Sequence, residues 1–327
     1  MTSRRPFTLL VLTLSLGLLA LLSLASGKVW VPWSAWLHTG DDPRWAIIFQ
    51  LRLPRTLLGL AVGAALGLCG AAMQGYTRNP LADPGVLGVS AMAALGAVLT
   101  LYLGLASSTP WLLAAASIGA AGVGVVAMLG LAGTSGGMVT FILSGVILNT
   151  LASAGVALAL SLAPNPWSAQ EIINWLMGSL ADRSFSEVTL AAPLIALGGA
   201  LLLSLGRAFD ALTLGETGAR TLGVDLANVR LRLVIGVGLA AGAAVAVTGM
   251  IGFVGLIVPH LLRPIIGHRP GALLLPSALG GAALVLAADI LVRLTPSATE
   301  VRLGVAMAAL GGPFFLAMLI SMRRRLA

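Results

Sequence analysis

Long apolar runs separated by short polar breaks set the rhythm of this chain. A helix needs about 20 apolar residues to cross a hydrocarbon core. Windows of that kind recur near residues 7–27, 56–76, 86–106, 111–131, 139–163, 189–206, 230–248, 250–267, 273–294 and 303–322. The pattern predicts an all-α polytopic membrane protein of ten transmembrane helices forming a single transmembrane domain over residues 1–327. Arg4 and Arg5 precede the first run, as in a signal peptide, but its length and the nine spans that follow favour a retained helix. Within the second window, Gly59, Gly63 and Gly67 fall four apart. One helix face there is almost bare, which is how membrane helices bring their backbones together.

That helix also carries one copy of an internal repeat. GLAVGAALGLCG (59–70) matches GLAAGAAVAVTG (238–249) without a gap at both end glycines and at the inner Gly63 and Gly242. The copies lie five spans apart, so they run in opposite directions and predict two halves related by an inverted repeat, as in many transporters. Shared glycine and alanine content is the competing explanation.

Composition agrees with the spans: 58% of residues are hydrophobic, 9% are charged, and mean hydropathy is +1.01. That leaves too little polar surface to cover a soluble globule of 327 residues. The lone Cys69 excludes an intrachain disulfide. The +8 charge is scattered singly at the ends of apolar runs, without the basic stripe of a nucleic-acid binder. With both termini in the cytoplasm, Arg4, Arg5, Arg78, Arg207, Arg220, Arg230, Arg232, Arg263, Arg269, Arg323, Arg324 and Arg325 lie inside, against only Asp83, Asp210, Glu216 and Asp225. The outer face is then neutral, as the positive-inside rule requires. Trp30, Trp33, Trp36 and Trp45 fall in the first outer loop.

Two segments outside the spans carry pattern. The inner loop 206–229 breaks at Gly215, Gly218 and Gly223 around short helical pieces. Its Leu212, Leu214, Ala219 and Leu222 suit a docking surface better than a solvated linker. On the outer side, residues 167–180 space Ile172, Trp175, Leu176 and Leu180 as a short amphipathic helix lying along the interface as a lid or brace.

Catalytic chemistry is not legible. The only lysine is Lys28, followed by Val29, so no Walker A site is present. His260 has no metal-ligand partner at helical spacing and reads as a helix-end residue beside Pro259. Ion-driven carriers keep carboxylates at mid-membrane, whereas Asp289 lies four residues from Arg293 near an outer end. An ion-coupled carrier and a non-transport scaffold are therefore disfavoured against a permease driven by a separate motor.

RLPRTLLGLAVGAAL, Gln74 followed by RNPLADPGVLGVS, LTLGETGARTLGV, GFVGLIVPHLLRP, ADILVRL and LGGPFF occur in this order over nearly the whole chain. In this the sequence resembles the FecCD-type permeases, membrane subunits of type II ABC importers for iron-siderophore complexes, haem and cobalamin. The resemblance implies the type II permease fold and a second copy of the chain. It also implies two ATPase subunits carrying ATP and Mg, a periplasmic binding protein, no cofactor on this chain and no nucleic acid, all in a bacterial inner membrane. By position, Leu212, Leu214, Gly215, Glu216, Ala219, Arg220, Leu222 and Gly223 correspond to the coupling helices that sit in the ATPases. Arg52, Arg55 and Arg293 correspond to outer-face arginines that receive acidic residues of the binding protein, where snorkelling anchors are the alternative. Asn79, Leu81 and Met138 correspond to the inner gate. Met92, Arg302 and Met307 stand where the family commonly has glycine, proline and threonine. The first and last put local packing in question, and Arg302 adds an outer cation.

Overall fold

The computed structural model describes residues 4–32, 36, 44–133, 137–296 and 300–326. Among the described residues thirteen α-helices of seven residues or more follow one another. They are α1 (Arg4–Ala25), α2 (Leu53–Thr77), α3 (Val89–Tyr102), α4 (Pro110–Ala132), α5 (Met138–Ser161), α6 (Pro166–Leu176), α7 (Phe185–Ser204), α8 (Gly206–Leu212), α9 (Gly215–Thr221), α10 (Leu226–Thr248), α11 (Val254–Ile266), α12 (Pro270–Leu294) and α13 (Leu303–Leu326). Among the described residues eight helices are long and apolar enough to cross a membrane. A π-helical turn, Ile47–Arg52, lengthens α2 into one of them. The expected third and eighth spans are the exceptions. There the helices are shorter, α3 and α11 of 14 and 13 residues, each about 20 Å long.

Their shortness has a local cause. Before α3 the chain turns through Pro84–Leu87, with the Asp83 carboxylate accepting the Gly85 N–H at 2.9 Å. Before α11 it runs without helix from Gly249 (φ +71°) to Phe253 (φ +68°). These two irregular segments meet. A Cβ on Gly255 would lie 2.9 Å from Pro84 Cδ and 3.0 Å from Gly70 Cα, and a cavity of about 100 Å3 between the segments is lined by Asp83, Ser90, Met250 and Phe253. Broken spans at matching positions of two halves are the usual mark of a transport pathway.

The core is built on the two repeat-bearing helices, α2 and α10, both mostly buried. They are antiparallel, since Arg230 at the start of α10 donates to Tyr76 Oη near the end of α2 at 3.0 Å. α2 packs on α11 and α12, while α10 packs on α3 and α4, which stand five spans before α11 and α12 in the chain. The bare face of α2 lies on α12. A Cβ on Gly63 would come within 2.4 Å of the Gly281 carbonyl, and one on Gly67 within 2.1 Å of that of Ser277. Met92 is accommodated by Gly124 of α4, where a Cβ would meet it at 3.1 Å. Met307 is fully buried in the core.

Candidate functional site

Chemically distinctive residues gather at the two ends of the bundle. At the end carrying the start of α2, Arg52 turns inward and caps α1. Its Nη1 donates to the carbonyls of Leu24 and Ala25 at 2.9 and 2.8 Å, and its Nη2 donates to Val29 at 2.6 Å. Arg55 and Arg293 converge on the fully buried Asp289. Arg55 Nη2 reaches Oδ1 at 2.7 Å, Arg293 Nε reaches Oδ2 at 2.8 Å, and Glu300 takes the outer side of Arg55. Arg293 also donates to the Ser23 carbonyl and hydroxyl at 2.9 and 2.7 Å.

The three arginines expected to form an exposed docking collar are therefore brought together but largely enclosed. Arg52 and Arg293 are each 6% exposed, and their charge is met by carbonyls and carboxylates of this chain. Beside them a cavity of about 230 Å3 is lined by Lys28, Arg52, Arg55, Arg183, Arg293 and Glu300, among others. The pairing of Asp289 and Glu300 with Arg55 was not legible, because it spans more than two hundred residues, whereas Asp289 stands only four residues from Arg293. Of the tryptophans expected in the outer loop, Trp30 is exposed, Trp36 packs beside Val31 and Ile48, Trp45 meets Phe49 at 5.9 Å, and Trp33 lies outside the described residues.

The amphipathic segment acts as a brace at this same end. Ile172 of α6 is fully buried against Val98, Leu101 and Ala159. Beyond α6, Ser179 N–H donates to Thr248 at 2.7 Å, and Gly304 N–H donates to Gly178 at 3.2 Å. The brace thus ties the end of α10 to the start of α13.

At the opposite end, α2 stops at Arg78, which adopts φ +53°, and Asn79 Oδ1 accepts the Leu81 N–H at 3.0 Å. Asn79 is exposed, while Leu81 and Met138 are half-buried. The turn that follows crosses α5 at Gly145, where a Cβ would lie 2.0 Å from the Val86 carbonyl. Asn79 and Leu81 follow Tyr76 in the chain, and Met138 stands one helical turn before Phe141; these two rings belong to a knot absent from the sequence reading. In it Tyr76 meets Phe141 edge-on at 4.9 Å, Arg230 lies 5.8 Å from the Phe141 ring, and Arg230 donates to the Gly133 carbonyl at 2.8 Å. Nearby, Gln74 is held between the Gly255 carbonyl, at 3.1 Å, and the Arg263 guanidinium. His260 lies inside α11 rather than at a helix end, and its ring meets Phe314 at 5.9 Å.

The loop expected to dock a partner folds into a pair of short helices, α8 and α9. Gly215 (φ +88°) and Gly223 (φ +81°) supply backbone conformations at its turns that other residues resist. Its apolar residues divide. Leu212 and Ala219 are buried in this chain's own core, so they need no partner, whereas Leu214 is 68% and Leu222 62% exposed. Glu216 is half-buried and Arg220 exposed. Among the described residues no group of three His, Cys, Asp or Glu side chains is placed to hold a metal ion.

An all-helical bundle with paired broken spans, polar knots at both ends and a protruding helical elbow defines a multi-pass membrane transport protein. Residues 14–321 match the FecCD transport family, and the chain belongs to it. It is 38% identical over 328 residues to the Fe(3+) dicitrate transport system permease protein FecD of Escherichia coli, covering 95% of this chain and 98% of that one. It is 37% identical over 294 residues to the hemin transport system permease protein HmuU of Yersinia pestis (89% and 88% covered). The cobalamin import system permease protein BtuC of Halobacterium salinarum is 39% identical over 273 residues (84% and 73% covered). A solved chain assigned to the metal-chelate type of ABC transporter, in an inward-facing conformation, superposes with a TM-score of 0.87 at 33% identity, covering 97% of this chain and 99% of that one. The chain is thus an ABC importer permease, a transport component and not itself a catalyst.

Proposed function

We propose that this permease works as a dimer with two separate ATPase subunits and imports a bulky metal chelate, a ferric siderophore, haem or cobalamin, handed over by an external binding protein. ATP and Mg reside on the ATPases, and this chain binds no cofactor. Both termini face the cytoplasm of a bacterial inner membrane, which places the α8–α9 elbow inside, in keeping with the arginines at that end. The observation that carries the motor-driven reading is the elbow itself: two exposed leucines held on a hairpin whose Phe209, Leu212 and Ala219 are buried. Leu214 and Leu222 enter a cleft of the ATPase, and Glu216 and Arg220 make the polar contacts beside them.

At the outer end the enclosed arginines set how docking works. Arg55 is 13% exposed, and its outer partner Glu300 is 27% exposed. An acidic side chain of the binding protein enters the adjoining cavity and replaces Glu300 on Arg55, while Arg52 and Arg293 hold the floor. Asn79, Leu81 and Met138 close the inner end of the path. The test is transport in reconstituted vesicles containing both subunit types. Replacing Glu216 and Arg220 together by alanine should abolish stimulated ATP hydrolysis and uptake with the permease still folded. Normal import by that variant would refute the coupling assignment, and parallel uptake assays with haem, cobalamin and a ferric siderophore identify the cargo.

A further inference from the structure

At the end of the bundle that carries the elbow, a cavity of about 540 Å3 opens between the end of α7, α8 and the start of α10, with Arg207 and Arg232 on its wall. Both arginines are exposed, and among the described residues neither makes a hydrogen bond or an ion pair. That sets them apart from Arg52, Arg55, Arg230, Arg263 and Arg293, each of which is held by a carbonyl, a side chain or a carboxylate. Asp225 is the acidic residue on the wall, its Oδ1 accepting the Ala227 and Asn228 N–H groups at 2.9 and 3.2 Å as the cap of α10, so two guanidinium groups face one carboxylate there. Arg269 on the neighbouring cavity is paired with Asp210 at 2.8 Å and is not counted.

The flanks of the cavity are apolar. Leu203 on the last turn of α7 is 42% exposed, and Leu231 beside Arg232 is 44% exposed. Both helices are membrane-spanning in length, so the two guanidinium groups stand where hydrocarbon gives way to headgroups. Planar guanidinium groups bind phosphate oxygens bidentately, and basic pockets between spans hold anionic headgroups.

We propose that this cavity binds an anionic phospholipid, its phosphate bridged by Arg207 and Arg232 and its acyl chains lying along Leu203 and Leu231. The occupant is a lipid and not an acidic residue of the ATPase, because the exposed Leu203 and Leu231 beside the two arginines lie on helices of membrane-spanning length, α7 being largely uncovered along its span.

Full-length permease in detergent is titrated with phosphatidylglycerol and with phosphatidylcholine, and retained lipid is counted by native mass spectrometry. Phosphatidylglycerol should be preferred, and R207Q/R232Q should weaken its retention roughly 30-fold. R220Q, which removes an exposed charge at the same end but off the cavity, should leave retention unchanged. Should the double variant elute as aggregate, R207Q and R232Q singly carry the test, each with about a fivefold loss. Three results would overturn the proposal. They are wild-type retention by R207Q/R232Q, complete displacement of the lipid by inorganic phosphate that binds there alone, and unchanged lipid binding with weakened ATPase association.

Discussion

At the scale of single residues, the decisive positions are those with no spare room or no spare charge. Gly63 faces the Gly281 carbonyl at a distance no Cβ tolerates, so Gly63→Ala must push α2 from α12, at a cost of about 1–3 kcal/mol for such overpacking. Gly119 of α4 has nothing within 4 Å of its would-be Cβ. Gly119→Ala should therefore be neutral or mildly stabilising, and thermal unfolding of the two variants in one detergent tests the contrast. Asp289 is the complementary case, a fully buried carboxylate between two guanidinium groups. Asp289→Asn keeps its shape but leaves Arg55 and Arg293 undercompensated, and breaking such a buried pair costs about 3–5 kcal/mol. A variant that melts with the wild type would show that Ser23, Glu300 and solvent suffice to hold both arginines.

At the scale of elements, the α8–α9 elbow separates a folding role from a docking role within one short segment. Leu212 is 1% exposed and Leu214 68%. Leu212→Asp should therefore abolish folded permease, whereas Leu214→Asp should leave the melting temperature unchanged and remove ATPase stimulation. Equal behaviour of the two would dissolve the distinction. Hydropathy alone does not make it, because both leucines read alike in the sequence, and only the course of α8 against α2 and α12 decides which is covered. The same limit explains the two short spans. A window average registers Val89–Tyr102 and Val254–Ile266 together with their apolar neighbours as full crossings, since Pro84–Leu87 and Gly249–Phe253 break the helix without breaking hydrophobicity. What is carried by local spacing, such as the bare face of α2, the brace at α6 and the elbow glycines, was legible. What depends on distant pairing, such as Asp289 and Glu300 with Arg55 or Tyr76 with Phe141 and Arg230, was not.

At the scale of the whole molecule, the open question is how one chain with an apolar flank becomes a gated path. Beyond Met138, α5 leaves Val139, Leu143, Ile147 and Leu151 at least half exposed, a stripe suited to a second copy across a twofold axis. On the transport reading proposed above, a bulky chelate passes along that axis, and a wall without convergent polar groups leaves direction to the ATPases. Closure at the inner end then falls to the Asn79–Leu81 turn, just beyond Tyr76, and to Met138, one helical turn before Phe141, both next in the chain to members of the Tyr76–Phe141–Arg230 knot. The native Cys69 is fully buried and is replaced by alanine to give a background free of thiols. Single cysteines at Leu81 and at Met138 should then crosslink between subunits in one nucleotide state of the assembled importer and lose that crosslink in another. Crosslinking that is equal in every state, or absent from all, would remove these positions from the gate.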